Sequence, residues 1–262
     1  MDLGLKDRVA IVMAASKGLG RACAQALAAE RCRIAICSRN REQIDRTAKE
    51  IVQVTGAEVF AAVADVGKAS DIESFVNDVA RRWGRIDILI NNAGGPPVKS
   101  FEETNDDEWH EYFDITFMSV VRAVRAVLPA MKKGGYGRII NITSVSVKEP
   151  IDNLVYSNAL RLGVVGLAKS LANELGPCGI TVHNVAPGFY LTDGLERVVN
   201  KRMEKGEHRE LIFKQWAQSI PLRKIGDPSE LAALVSFLAS GKSSYMTGTT
   251  IQVDGGRIST VM

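Results

Sequence analysis

The chain has 262 residues, 46% of them hydrophobic and 24% charged, a balance that excludes disordered, collagen-like and disulfide-scaffold classes. Thirty-three Lys and Arg stand against 30 Asp and Glu, and because these charges are scattered, no basic stripe supports nucleic-acid or membrane binding. Cys23, Cys32, Cys37 and Cys178 form no CxxC pair, and His110, His183 and His208 lack zinc-ligand spacing, so no metal centre is expected. No apolar run approaches ~18 residues and Met1 to Arg8 carries Asp2, Lys6 and Asp7 in place of a basic leader, from which a reduced, cytoplasmic protein is expected.

In chain order, short Val- and Ile-rich runs alternate with segments of helical period, the signature of βαβ units and a parallel sheet. Val9 to Ala14 reads as a strand, followed by a Gly-bearing turn and a small-residue helix from about Gly18 to Glu30. Strands follow at Arg33 to Cys37, Val59 to Val63, Ile86 to Ile90 and Arg138 to Ile142, separated by helices at Arg41 to Val54 and Ala69 to Trp83 and by one long or two consecutive helices at Asp106 to Lys132. A helix from about Tyr156 to Leu175 ends at Gly176 and Pro177, strand Thr181 to Val185 follows, Pro228 opens a further helix, and Thr250 to Val253 gives the last strand. The strands are nearly all apolar, as burial on both faces requires. Thr192 to Gln218 interrupts the rhythm with a dense run of Arg, Lys and Glu, which reads as a lid over a site or as a solvated helix pair. The expected fold is α/β, a single doubly wound domain with one parallel sheet.

Ala14, Ala15, Ser16, Lys17, Gly18, Leu19 and Gly20 join the first strand to the first helix. Glycines there let backbone approach a pyrophosphate, and free N–H groups at a helix start bind it. Alone such a turn is also a packing corner; its place after the first buried strand of a βαβ array is what points to a dinucleotide. At the end of the second strand stand Ser38, Arg39, Asn40 and Arg41, where a free ribose 2′-hydroxyl usually meets a carboxylate and a 2′-phosphate calls for Arg. With Lys17 in the adjacent turn, NADP(H) is expected in preference to NAD(H), the alternative being that Arg39 and Arg41 are solvated residues of a helix start.

With Asn91-Asn92-Ala93-Gly94 closing the fourth strand, the chain resembles the single-domain members of the short-chain dehydrogenase/reductase family, and the resemblance runs essentially end to end. It includes Asp65-Val66, Asn141-Ile142-Thr143-Ser144, Tyr156 at the start of a helix, Pro187-Gly188 with Thr192, and Val253-Asp254-Gly255-Gly256. The resemblance implies a hydride transfer between a nicotinamide and a small-molecule carbonyl or alcohol, the substrate being a ketone or a 3-oxoacyl-type compound. It implies that Asp65 and Val66 meet the adenine and that Asn91, Ala93 and Gly94 border its ribose. Pro187, Gly188 and Thr192 would then embrace the nicotinamide. Ser144 is implied to hold the substrate oxygen and Tyr156 to act as acid or base. A homotetramer or dimer through the long helices is implied as well. Without the array around them, Asp65 would read as a helix cap and Pro187-Gly188 as a plain turn.

Three positions depart from the family pattern: Ala14 replaces the first turn glycine, Thr116 the Asn of the following helix, and Leu160 the Lys four residues after Tyr156. Ser144 and Tyr156 are 12 residues apart, one fewer than in the pattern. An Ala in the turn is harmless if its φ is negative. Leu160 leaves no cation to depress the phenol, and Arg161, ~140° around the helix from Tyr156, is expected to pair elsewhere, across a subunit contact. Carbonyl reduction needs a protonated Tyr and tolerates this loss; alcohol oxidation needs the tyrosinate and is expected to rise only toward alkaline pH. The competing reading is a cofactor-binding protein that has lost catalysis and works through assembly or ligand sensing, and a more distant one is an α/β scaffold for a non-redox ligand. The aromatics Phe189, Tyr190, Phe213 and Trp216, with the loop Gly95 to Phe101, are expected to line the substrate pocket, some of the four belonging to the core.

Overall fold

The structure, a computed structural model, describes residues 2–204 and 206–260; position 205, inside the expected lid, lies outside the described residues. Seven strands, β1 (Val9–Val12), β2 (Arg33–Ser38), β3 (Val59–Val63), β4 (Ile88–Asn91), β5 (Gly137–Ile142), β6 (Ile180–Pro187) and β7 (Thr249–Val253), form one parallel sheet in the order β3-β2-β1-β4-β5-β6-β7. The apolar runs are strands because both sheet faces are covered: every residue of β1, β4, β5 and β6 is buried.

One face carries α1 (Gly18–Ala29) and α2 (Arg41–Thr55), joined late in the chain by α9 (Pro228–Ala239), and packs Leu27, Ile44 and Leu231 against Val12, Ile36 and Ile140. The other carries α3 (Ala69–Trp83) and packs Phe75, Val124 and Val164 against Ile11, Leu89 and Val182. The segment read as one long or two helices is α4 (Asp106–Phe113) and α5 (Ser119–Gly134), joined by a π-helical turn at Asp114–Met118. The Asn105 side chain caps α4 by accepting from the Glu108 N–H. The helix α6 (Val155–Leu175) begins one residue before the expected start. The expected lid is α7 (Asp193–Met203) and α8 (Arg209–Gln218), held together by a two-bond Arg209–Glu196 pair at 2.6 and 2.7 Å. Because the chain reverses winding direction between β1 and β4, their carboxyl ends splay apart and open a crevice, the usual ligand position in such sheets.

Candidate active site

The crevice is a cleft of about 580 Å³. Ala14, Ser16, Lys17, Gly18, Leu19, Ser38, Arg39, Asp65, Val66, Ala93, Gly94 and Thr192, each read from the sequence as a cofactor residue, line it together. Lys17 precedes α1 in extended conformation without a side-chain cap, and the first turn of α1 holds no acidic residue, so its N–H groups face the cleft as donors for an anion. A Cβ at Gly20 would lie 2.6 Å from Asn92 Nδ2 and 3.0 Å from the Ala14 carbonyl. That contact is close because Asn92 Nδ2 donates to the Met13 and Ala14 carbonyls, at 3.2 and 3.1 Å, and ties the turn to the end of β4. Thr47 Oγ1 donates to the Ser16 carbonyl at 2.9 Å and fixes the other side. Gly94 has open space where a Cβ would stand. The cradle therefore fits a pyrophosphate-bearing dinucleotide.

Ala14 has a φ of +48°, not the negative value that would make Ala harmless. The turn reverses the chain directly after β1, a left-handed conformation that glycine adopts freely and that costs an L-residue about 1 kcal/mol. At the far end of the cleft Arg39 is exposed, whereas Arg41 is turned to Asp45 at 3.6 Å. Lys17 stands 3.3 Å from Asp193 on α7, a solvent-exposed pair of small energetic weight. Asp65 does not cap α3, whose cap position is Lys68; its Oδ1 accepts from the Gly67 N–H at 3.0 Å. Thr192 caps α7 by accepting from the Leu195 N–H, and its Cβ sits 3.6 Å from the Cβ position of Gly18, so the lid helix starts on top of the glycine turn. Pro187 ends β6, and a Cβ at Gly188 would meet Asp254 at 2.7 Å, which fixes the strand exit against the carboxyl-terminal segment.

Across four neighbouring strands, Asn91 Nδ2 donates to Asn141 Oδ1 (2.8 Å), Asn141 Nδ2 to Asn184 Oδ1 (2.9 Å) and Asn184 Nδ2 to Thr250 Oγ1 (3.1 Å). These residues are in register across β4, β5, β6 and β7 and form a buried amide rung. Asn91 thus holds the sheet rather than lining the cleft, a role the sequence reading missed; one Asn in each of three otherwise largely apolar strands was its only signal. Beside the rung lies a cavity of about 20 Å³ lined by Asn91, Asn92, Thr116, Asn141, Thr143 and Arg161, room for a single water. The π-helical turn delivers Thr116 to it, and Thr116 Oγ1 has no hydrogen-bond partner among the described residues.

The structure does not bring Tyr156 to the cleft. Its ring is fully buried against Trp109 and Tyr112, with centroids 4.6 and 5.1 Å away, and its hydroxyl donates to Glu108 Oε2 at 2.7 Å. Burial, then the Glu108 carboxylate, pushes the phenol above its ordinary pKa, while Lys99 at 2.6 Å and the phenol hold Glu108 low. This is the opposite of an activated tyrosine, and the expected alkaline rise in oxidation loses its basis. The physical reason is helical phase: at ~100° per residue, the face of α6 that carries Ser157 and Arg161 points at the site, and the face of Tyr156 and Leu160 points toward α4 or away. Ser157 is buried, with its Oγ 3.1 Å from Ser146 Oγ, and Ser146 donates its N–H to Ser144 Oγ at 3.1 Å. Ser144 to Ser157 is 13 residues, the spacing that Tyr156 missed by one. Arg161 does not pair across a surface either: it is 9% exposed and its Nη1 donates to the Ile142 carbonyl at 3.0 Å.

Of the expected aromatics, Tyr190 belongs to the core, its hydroxyl bonded to the Val253 carbonyl at 3.0 Å. Phe189 stacks on Trp216 of the lid at 5.1 Å, and Phe213 meets Trp216 edge-on at 5.9 Å. These three form an apolar wall beside the strand exit at Gly188.

Residues 13–257 match a family model described as enoyl-(acyl carrier protein) reductase. The chain belongs to the short-chain dehydrogenase/reductase family. It is an oxidoreductase of that family with the family's seven-stranded parallel sheet. It is 32% identical over 250 residues to the 3-oxoacyl-[acyl-carrier-protein] reductase FabG of Staphylococcus epidermidis, covering 95% of this chain and 98% of the relative. L-sorbose reductase from Gluconobacter frateurii, solved with NADPH and L-sorbose, superposes with a TM-score of 0.96 at 28% identity over 100% of both chains. A short-chain oxidoreductase from Pseudomonas aeruginosa PAO1, described as containing an atypical catalytic center, superposes with a TM-score of 0.90 at 34% identity over 97% of this chain and 98% of that one.

Proposed function

We propose that the protein is an NADP(H)-dependent reductase of a small-molecule ketone or 3-oxoacyl-type carbonyl. The observation that carries the reading is the cleft itself. An uncapped helix start and glycine turn lie at its centre, and Arg39 with Lys17 stands where no carboxylate closes the second strand. An extra phosphate of charge near −2 is favoured by two cations there, and a bidentate Arg contact is the stronger of the two. The reductase relatives, one acting on 3-oxoacyl groups and one crystallised with NADPH, support the same direction and substrate class.

Bound in the cleft, the nicotinamide supplies the hydride. This chain's residues bind the phosphates through the first turn of α1, hold the adenine end beside Asp65 and Val66, and present the Ser144 hydroxyl to the substrate oxygen. Thr116 and the amide rung hold the floor of the site. The apolar wall of Phe189, Phe213 and Trp216 excludes water from the substrate side. A homo-oligomer through α4, α5 and α6 belongs to the same proposal, as does a cytoplasmic setting; Phe113 and Leu162 are 40% and 53% exposed on these helices.

One observation favours a second reading, a cofactor-binding protein without turnover: the phenol expected to supply the proton is committed to Glu108. Steady-state kinetics with NADPH and NADH on a panel of 3-oxoacyl thioesters and cyclic ketones separates the two. The first reading requires turnover with a clear NADPH preference, and R39D is expected to lower kcat/KM for NADPH by about 10- to 100-fold while NADH changes little. NADPH binding with no turnover on any carbonyl supports the second, and a preference for NADH refutes the cofactor assignment.

A further inference from the structure

Arg161 is the buried charge that the fold does not explain. Among the other arginines, Arg8 and Arg85 share Asp87, Arg122 pairs with Asp114, and Arg138 bonds the Ser240, Gly137 and Gly179 carbonyls; half-buried Arg257 also keeps a buried Nη1 without a partner among the described residues, but its guanidinium lies over the Phe189 ring at 4.5 Å. Arg161 has no carboxylate within ion-pair distance among the described residues, and its single hydrogen bond there is to the Ile142 carbonyl. A guanidinium has five donors, and burying one without a counter-charge is expensive. Burial lowers its pKa to about 10, which still leaves it charged at neutral pH.

Its surroundings indicate what the remaining donors serve. Arg161 lines the small cavity that also receives the unpartnered, 4%-exposed Thr116 hydroxyl. Its Nη2 lies 3.9 Å from the Cβ position of Gly95, which lines the cleft next to Gly94. One helical turn before it, the Ser157 hydroxyl meets the Ser146 hydroxyl, and the Ser146 backbone N–H donates to Ser144 Oγ. The guanidinium thus stands between the small polar cavity and Gly95 of the cleft lining.

We propose that the Ser157–Arg161 face of α6 supplies the active-site groups: Arg161 is a fixed cation that binds the hydroxylated ribose at the nicotinamide end, and Ser157 serves the substrate oxygen together with Ser144. The proposal rests on reading the cleft as an NADP(H) site. In the reductive direction the carbonyl carbon gains the hydride, the C=O π pair becomes an alkoxide lone pair, and the alkoxide takes a proton from Ser157. Ser157 regains one through Ser146 from water, so that hydroxide is released to solvent and neither serine ends charged. Arg161 offsets the negative charge while it exists and transfers no proton.

The test is calorimetric titration with NADPH and with 2′,5′-ADP, which carries the phosphate-rich half but no nicotinamide ribose. R161M is expected to weaken NADPH by about 10- to 100-fold, the loss of charge-assisted hydrogen bonds, and to leave 2′,5′-ADP within about 2-fold. R161K should recover most of the lost NADPH affinity, which a purely structural arginine would not allow. Should R161M fail to fold, R161K and R161Q give the same contrast, Lys binding NADPH tightly and Gln weakly. Equal NADPH affinity in the wild type and the uncharged variant, or parallel loss of both ligands, overturns the proposal alone. Wild-type protein that binds neither ligand refutes the reading of the cleft and the proposal with it.

Discussion

The amide rung across the sheet makes a quantitative prediction. Asn141 is 1% exposed and sits between Asn91 and Asn184, which are 4% and 1% exposed. Replacing it with the similarly sized Leu leaves the Asn91 Nδ2 donor and the Asn184 Oδ1 acceptor buried without partners. Each stranded group costs about 1–3 kcal/mol, so N141L should lose about 4 kcal/mol. For a chain of this length that is a fall in Tm of roughly 8–16 °C. The triple variant N91L/N141L/N184L removes the polar partners together and leaves only the Thr250 hydroxyl, a change that can approach neutrality. Urea unfolding of both variants at matched protein concentration measures the difference. If the single substitution costs no more than the triple, the rung is not a coupled network and the argument fails. The rung's place gives it a functional reading: Asn141 directly precedes Ile142, whose carbonyl holds Arg161, so a slack rung should also loosen the cleft floor.

Further tests follow from single residues. Y156F should lower Tm modestly, because Glu108 keeps Lys99 as a partner, and should leave kcat/KM within about 3-fold; a fall of about 100-fold, the usual loss when a general acid is removed, would return the phenol to the chemistry. L160K should bring no gain in rate, since position 160 shares the face of α6 whose Tyr156 packs on Trp109 and Tyr112, not the face of Arg161, and a large gain would contradict the assigned helix face. A14G removes the left-handed strain at φ +48°, and thermal melting should show it neutral to about 1 kcal/mol more stable; clear destabilisation would mean the Ala side chain packs productively. Burial, then Arg138, lowers His183 to about 4. The unfolded chain binds the proton near its usual 6.5, so stability is full above that value and falls as pH drops toward 4, by at most about 3 kcal/mol. His183→Gln should flatten that slope in urea titrations across the window, and an unchanged slope would contradict it.

Elements with a strong local signature were legible in the sequence. The apolar strands and the glycine turn announced the sheet, the crevice and most of the cleft lining, because burial on both faces and close backbone approach each leave a mark on residue type. What escaped depends on phase and on long-range contact. Tyr156 and Ser157 are adjacent, and residue chemistry favoured the phenol; only the spacing from Ser144 and the i, i+4 relation of Ser157 to Arg161 signalled the other face. The asparagine rung joins residues from three strands far apart in the chain, and nothing local distinguishes a buried Asn from a turn residue. The φ of Ala14 is set by how tightly β1 turns into α1, so its residue type misled. Tyr190 shows the same limit, for its hydroxyl finds the Val253 carbonyl 63 residues away.

The most direct measurement follows the hydrogen itself. With NADPH deuterated at the reacting face of the nicotinamide ring and a 3-oxoacyl thioester or cyclic ketone turned over by the wild-type protein, mass spectrometry and NMR should find one deuterium on the new carbinol carbon. Carbinol product without deuterium from either face of the ring, or no product with any carbonyl while NADPH is bound, would contradict the assignment as a reductase.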